Sequence, residues 1–414
     1  MRHYLIAASL LAPMLSLAAC GFNGTDRDGA GDTADKTANA TTENLADTMM
    51  SQDGGDVASE VPDIPDSEER PVMQAQVVLD RQGFGPGVID GKMGLSTENA
   101  LEGFQEANEL DVSGKLDEPT KAKLADWKAI PATRVVRIPE DWGTLEYART
   151  PDDAPDQAKL ERLAYQSLDE KLAERFHTTA DVLKMLNPGG RPAGMKDGVG
   201  ETSAPTQSTS ATARPSPTAS ASGGPGAPDT APMPSTFAAG QLIRVPNIGA
   251  DRIAPGAVDD PDWQQTLQSL GVGTDQPRID RVVVSKSDST LKAYDPTGRL
   301  VALFTVSSGS SKDPLPLGNW KVNGVAKNPP FAYNPELFWD VPDGDEKQQL
   351  PPGPNGPVGV VWIDLSKEHY GIHGTPEPQT IGRTQSHGCV RLTNWDAARL
   401  AQMVRAGTKV IFEA

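Results

Sequence analysis

The sequence predicts a multidomain chain. Its C-terminal domain is mostly β and sandwich-like with one main helix. A small three-helix bundle and an α+β unit precede it. Three observations carry this reading. From residue 278 onward, short apolar or alternating runs follow one another between turn residues, and one stretch alone has clear helical periodicity. Residues 72–128 hold three short helical stripes. Two stretches, 21–71 and 190–236, have compositions that cannot bury a core, and they mark joints.

Residues 1–20 read as an export signal. Arg2 and His3 precede an apolar run over 4–17, too short to span a bilayer, and small residues lead into Cys20. Leu17-Ala18-Ala19-Cys20 resembles the lipobox of bacterial lipoproteins. The resemblance implies cleavage before Cys20, lipidation of its sulfur and a membrane-anchored, periplasmic or cell-envelope location. Gly21 is compatible with the outer membrane where an envelope has two. The chain has two cysteines, so a lipidated Cys20 leaves Cys389 without a disulfide partner. A lone thiol in an exported chain is reactive or pairs between molecules.

The formal net charge is −18. Residues 21–70 carry thirteen Asp or Glu against three Lys or Arg, so −10 of it belongs to that stretch. This is a solvated tether. No basic patch appears anywhere, which excludes nucleic acid as a partner.

Within 72–128, Met73, Val77, Val78 and Leu79 mark a first helix. A glycine-rich turn region follows over 83–91. A second helix starts near Ser96 or Thr97, and a third spans 118–127. Leu79, Phe84, Leu101, Phe104, Leu116 and Leu124 are the expected core. The order Gly83-Phe84-x-Pro86-Gly87-x-Ile89-Asp90-Gly91, continued by Thr97, Ala100, Leu101, Phe104 and Gln105, resembles the peptidoglycan-binding helical domain. Asp90-Gly91 lacks the oxygen ligands of a calcium loop and reads as a turn.

Residues 129–158 read as a connector with short strands near 135–138. Residues 159–248 read as an α+β unit with two helices over 159–188, the second capped by Thr178 or Thr179, and a closing strand over 240–246. Leu172-Ala-Glu-Arg-Phe176 with Thr178, Leu183, Leu186 and Asn187 resembles the helical part of a LysM carbohydrate-binding module, which implies glycan binding. Ser167-Leu168-Asp169 stands where that family opens on Gly-Asp-Thr. The insert 190–236 has the signature of a disordered loop. Residues 249–277 read as a second connector.

In 278–414 the expected strands lie at 282–284, 291–295, 299–306, 319–322, 358–365 and 409–412. The helix spans 394–405, opened by a capping box of Thr393 and Asp396 and ended by Gly407. Its apolar face is Ala397, Leu400, Ala401 and Val404. Residues 329–354, with Phe331, Tyr333, Phe338 and Trp339, read as a lid or as core.

The chemistry concentrates in Tyr370-Gly-Ile-His373-Gly374-Thr375 and Ser386-His387-Gly388-Cys389-Val390-Arg391-Leu392. A free thiol is mostly protonated at neutral pH and needs a base. His373 and His387 both qualify by position. A metal site from His369, His373, His387 and Cys389 is the competing reading, but Gly371 and the β-like setting argue against one helical face, and no His-Glu-x-x-His occurs. No metal and no cofactor is expected.

The double motif resembles the catalytic domain of the L,D-transpeptidases, the YkuD-like family, over 278–414. The resemblance implies Cys389 as nucleophile, His373 as proton donor and acceptor, and the Gly374 carbonyl as its orienter. It implies His387 and Gly388 in the oxyanion region and Arg391, Tyr370 and Ser386 at the substrate, Arg391 serving otherwise as a structural ion-pair partner. The implied reaction is acyl transfer between peptidoglycan stem peptides, giving 3–3 cross-links. Water, a D-amino acid or a protein amine are other acceptors, so an L,D-carboxypeptidase shares the same nucleophile. A non-catalytic wall-binding lipoprotein is the further alternative.

Overall fold

A computed structural model describes residues 61–196, 230–249, 253–254, 256–337, 346–384, 386 and 388–414. The export signal, Cys20, the tether up to residue 60, insert residues 197–229, Phe338, Trp339 and His387 lie outside the described residues.

Helix α1 runs Pro71–Arg81, with Pro in its first turn, where no amide hydrogen bond is lost. The glycine-rich stretch after it, expected as a turn region, contains a two-residue strand, β1 (Phe84–Gly85). Asp90-Gly91 does form a turn, closed by Lys92 N–H on Asp90 Oδ1 at 2.9 Å. Helix α2 spans Leu95–Ala107. Its N-cap is Gly94, so the expected caps Ser96 and Thr97 lie inside the first turn. Helix α3 spans Glu118–Leu124 and is capped by Asp117, which accepts from Thr120 N–H at 3.0 Å. Such a cap contributes about 1 kcal/mol.

These helices do not form a closed bundle. Leu79, Phe84, Leu101 and Phe104 cluster as expected, but Leu300 and Leu303 of the C-terminal domain complete the cluster. The other side of α1, through Met73 and Val77, joins a second core with the middle unit.

That middle unit opens on β2 (Thr133–Arg137), inside the expected connector. After a single turn, α4 (Ala154–Gln157), come α5 (Leu168–Arg175) and α6 (Ala180–Leu186), capped by Ser167 and Thr179. Strand β3 (Leu242–Pro246) then pairs antiparallel with β2. The unit is therefore β-α-α-β, and it starts earlier than residue 159. The tether also ends earlier than residue 71. Arg244, 1% exposed, donates to the Ile64 carbonyl at 2.7 Å and to Thr133 Oγ1 at 3.0 Å, which fixes residues just before α1.

The second connector contains a helix, α7 (Pro261–Leu270), capped by Asp260. Next come β4 (Arg281–Ser285), β5 (Thr290–Tyr294), β6 (Leu300–Thr305) and β7 (Ser307–Ser308). Strand β8 (Gly318–Lys327) leads into a separate ribbon of β9 (Phe331–Tyr333) and β10 (Gln348–Leu350). Then follow β11 (Val361–Leu365), β12 (Gly371–His373), β13 (Val390–Arg391), α8 (Asn394–Met403) and β14 (Lys409–Glu413). Thr393 caps α8 as expected, accepting from Asp396 N–H at 3.1 Å, but the helix ends before Gly407.

Among the described residues, ten strands make one mixed sheet in the order β1-β6-β5-β4-β14-β8-β11-β12-β13-β7. Strand β8 is its turning point. Residues 318–321 pair with β14, and residues 322–327 with β11. Side chains from both halves, with Trp263 and Leu267 of α7 and Trp395 and Leu400 of α8, share one buried core. The sandwich-like expectation is met by one long sheet folding over at β8, with two helices on its core rather than one. Strand β1 extends its edge in parallel with β6, pairing Phe84 with Leu303. No helix among the described residues is long and apolar enough to cross a membrane.

Candidate active site

Strands β12 and β13 run parallel, with Ile372 opposite Val390 and His373 opposite Arg391. Ile372 and Val390 both enter the core. Side chains alternate across a strand, so His373 and Arg391 stand on the other face, and Cys389, just before β13, shares it. The pleat thus brings together three residues the sequence singles out.

His373 is 6% exposed. Its Nδ1 lies 2.7 Å from the Gly374 carbonyl oxygen. A carbonyl can only accept, so Nδ1 carries the hydrogen and Nε2 keeps its lone pair. The ring also stacks on Trp362, 5.5 Å between centroids at 22°. Burial pushes the imidazole down to about 4, Arg391 acts in the same sense, and the Gly374 carbonyl opposes them. At neutral pH the ring is therefore neutral and able to take a proton.

Cys389 is partly exposed, and its Sγ donates to the His369 carbonyl at 3.8 Å. Burial pushes the thiol up, while a backbone hydrogen bond from Gly371 and the charge of Arg391 favour the thiolate. At neutral pH the thiol and the imidazole on this face are thus both uncharged. One pH consequence follows. A base that must be neutral fails only when protonated, so reaction at Cys389 is expected to fall off on the acid side with a midpoint near 4. A rate profile of acyl transfer or thiol alkylation from pH 3 to 8 checks this. A midpoint near 6.5 would mean that His373 is not held in its depressed state.

The other expected residues fall into place differently. Arg391 donates to Thr384 Oγ1 at 3.2 Å and interacts electrostatically with Glu377 and Cys389. Tyr370 lies against the cysteine loop, and its phenol is pushed up by burial and then by Cys389. Ser386 does not face outward. It is 6% exposed, accepts from Gly309 N–H at 2.7 Å and donates to the Cys389 carbonyl at 2.5 Å, so it clamps the loop. His387 lies outside the described residues. His369 is exposed, with φ 65°, and faces Glu368 Oε1 at 3.6 Å. It lies in a turn, outside the strand that carries His373, so the four-residue spacing is not that of one helical face. Among the described residues no group of three or more His, Cys, Asp and Glu is placed to hold a metal.

Gly388 has φ +97°, and a Cβ there would lie 2.7 Å from the Tyr370 ring. Gly388→Ala is therefore expected to displace the loop and lower turnover by roughly 10–100-fold. Steady-state rates alongside a thermal melt check this, and an unchanged rate would contradict it. Two contributors have no signature in the motif: Trp362, which carries the imidazole, and Asn394, whose side chain lies against Gly374. Trp362 sits at an alternating position, two residues before Asp364, on a strand that reads as apolar nearly throughout, and that alternation is the signal for it.

Comparison with known proteins bears on this arrangement. Residues 279–412 match the family described as the L,D-transpeptidase catalytic domain, YkuD, and residues 68–124 match a peptidoglycan-binding domain. The YkuD protein of Bacillus licheniformis, assigned by name to the L,D-transpeptidases, is 33% identical over 130 residues, 31% of this chain and 63% of its own length. That of Bacillus subtilis is 41% identical over 92 residues, covering 21% of this chain and 54% of its own. The chain thus spans between half and two thirds of the length of these relatives. The solved L,D-transpeptidase from Mycobacterium smegmatis is 23% identical over 32% of this chain and 58% of that one, with a TM-score of 0.27. The chain carries an L,D-transpeptidase catalytic domain of the YkuD family over residues 279–412, behind a peptidoglycan-binding domain over residues 68–124.

Proposed function

We propose that this protein is a cysteine-dependent L,D-transpeptidase that forms 3–3 cross-links between peptidoglycan stem peptides outside the cytoplasm. The observation that carries this reading is the orientation of His373. Its Nδ1 hydrogen is engaged by Gly374, which frees Nε2 for a proton on the sheet face that Cys389 shares.

The reaction has two steps. Cys389 Sγ attacks the carbonyl carbon of the third residue of a donor tetrapeptide, and its proton passes to His373 Nε2. Gly388 and Cys389 N–H groups, with His387, hold the oxyanion. The C–N bond breaks, and the terminal residue leaves with the proton from His373. An amine on a neighbouring stem then attacks the thioester. It gives its proton to His373, and the thiol is restored. A neutral imidazole suits both halves, since it accepts a proton in each and returns it. Arg391 and Tyr370 line the approach to the sulfur. Ser386 acts on substrate only through the loop it clamps.

The helices over 72–128 bring the enzyme to the wall, and the β-α-α-β unit, LysM-like in its helical pattern, adds to that contact. Lipidated Cys20 anchors the chain to a membrane, with the acidic tether between. Mass spectrometry of stem-peptide fragments incubated with the protein tests the reading. A tetrapeptide–tripeptide dimer is the expected product. Tripeptide alone would make the protein a carboxypeptidase, and unaltered tetrapeptide would contradict the acyl-transfer reading.

A further inference from the structure

Glu174 lies in α5 of the middle unit, outside the matched catalytic domain, and is 7% exposed. Its Oε1 accepts from Asn394 Nδ2 at 2.8 Å, across 220 positions of sequence. Asn394 opens α8 and is fully buried. Its Nδ2 also donates to the Pro354 carbonyl at 3.1 Å, and its Oδ1 accepts from Val360 N–H at 3.3 Å. Every contact fits one orientation of the amide, donors to acceptors.

Asn394 Oδ1 is also the wall behind the catalytic loop. A Cβ on Gly374 would come within 2.2 Å of it, and one on Gly359 within 1.9 Å. Two glycine backbones therefore close directly onto this side chain. Gly374 is the residue whose carbonyl sets the His373 tautomer. The middle unit grips the same region a second time. Asn355 N–H donates to the Leu163 carbonyl at 3.1 Å, and Asn355 Nδ2 to the Ala164 carbonyl at 2.8 Å.

We propose that Glu174 is a positioning residue for His373, acting through Asn394 and Gly374, so that the upstream unit completes the catalytic site. This rests on the reading of His373 as the base. The carboxyl also takes a hydrogen bond from Tyr165 of the same unit. Burial pushes it up to about 7, the mark of a group that would be better solvated. An apolar side chain of similar volume removes that cost but leaves Asn394 Nδ2 with the Pro354 carbonyl alone and takes the carboxyl from Tyr165.

The test compares Glu174→Met, Glu174→Gln and His373→Ala with the full wild-type chain. Each is followed by thermal melt, by iodoacetamide alkylation of Cys389 across pH, and by acyl transfer from a stem tetrapeptide. Glu174→Met is expected to stay folded, with a single cooperative melt. It should lose about tenfold in kcat with KM unchanged and lose the His373-dependent part of the alkylation profile. Glu174→Gln keeps an acceptor oxygen and is expected to restore both. Wild-type behaviour in a folded Glu174→Met protein would overturn the proposal, as would a loss confined to KM. Alkylation needs no stem peptide, so an altered profile in Glu174→Met without any wild-type transfer would refute the substrate and leave the proposal standing. Equal alkylation of wild type and His373→Ala would refute the base, and the proposal with it.

Discussion

Replacing Cys389 by serine is expected to lower acyl transfer by roughly 10⁴-fold or more. The size follows from the base. His373 is buried and held down to about 4, so its Nε2 is a weak proton acceptor. A thiol still ionises far more readily than an alcohol, and a serine hydroxyl in the same place would keep its proton. The substitution should leave the fold intact, because residue 389 stands on the open side of the sheet while its neighbour Val390 holds the core. His373→Ala is expected to cost nearly as much, since thiol and base act as one unit. Turnover of a stem tetrapeptide, read by product mass alongside matched thermal melts, decides it. A serine variant within tenfold of wild type would place the nucleophile elsewhere.

The second large effect is on stability. Asp80 of α1 and Arg399 of α8 form a buried bidentate pair, Nη1–Oδ1 2.9 Å and Nη2–Oδ2 3.0 Å. His177, in the turn between α5 and α6, places Nδ1 3.1 Å from Asp80 Oδ1 and Nε2 2.9 Å from the Leu270 carbonyl at the end of α7. Its ring stacks on Trp395 at 4.8 Å and 8°. Helices from the peptidoglycan-binding, middle and catalytic parts meet at these few side chains. Burial alone would raise the Asp80 carboxyl, but Arg399 and His177 together hold it well below the usual range. Arg399→Met removes the main partner and strands a buried carboxylate, which typically costs about 3–5 kcal/mol. Adding Asp80→Asn is expected to recover a good part of this, because the stranded charge is gone. Denaturant unfolding of the single and double variants checks the prediction, and an Arg399→Met protein as stable as wild type would contradict it. The sign with pH is fixed too. A depressed carboxyl stabilises above its unfolded value, near 4, and that contribution is lost as the pH falls toward the folded value.

The parts of this molecule legible in the sequence are those written locally. Thr393 and Asp396 announce the start of α8, Thr179 that of α6, and the spacing of Leu79, Leu101 and Phe104 the helices around β1. The catalytic loop is legible because its residues form two short motifs, whose resemblance to a known family implies Cys389 and His373; that they share a face follows only from the pairing of β12 with β13. The features that the sequence does not announce depend on partners far along the chain. Strand β1 is two residues long and exists only because β6 lies beside it. A short strand is expected near 135–138, but that β2 opens the middle unit shows only when β3, over a hundred positions later, pairs with it. Ser386 looks like a substrate contact until Gly309 and the Cys389 carbonyl take up its hydroxyl. The Glu174–Asn394 and Asp80–Arg399 contacts bridge 220 and 319 positions, and no local pattern encodes either. Helix α7 is a different case. Asp260 at its cap, Pro261 at its first turn, and Trp263, Leu267 and Leu270 on one face were all there to be read.

In the proposed reaction Cys389 carries the acyl group. The most direct measurement is the mass of the intact protein after brief mixing with a stem tetrapeptide, followed by peptide mapping. The expected result is an added mass equal to the tetrapeptide less one free terminal amino acid, located on Cys389 and discharged by an added amine. An adduct on another residue, or product formation with Cys389 alkylated beforehand, would contradict it.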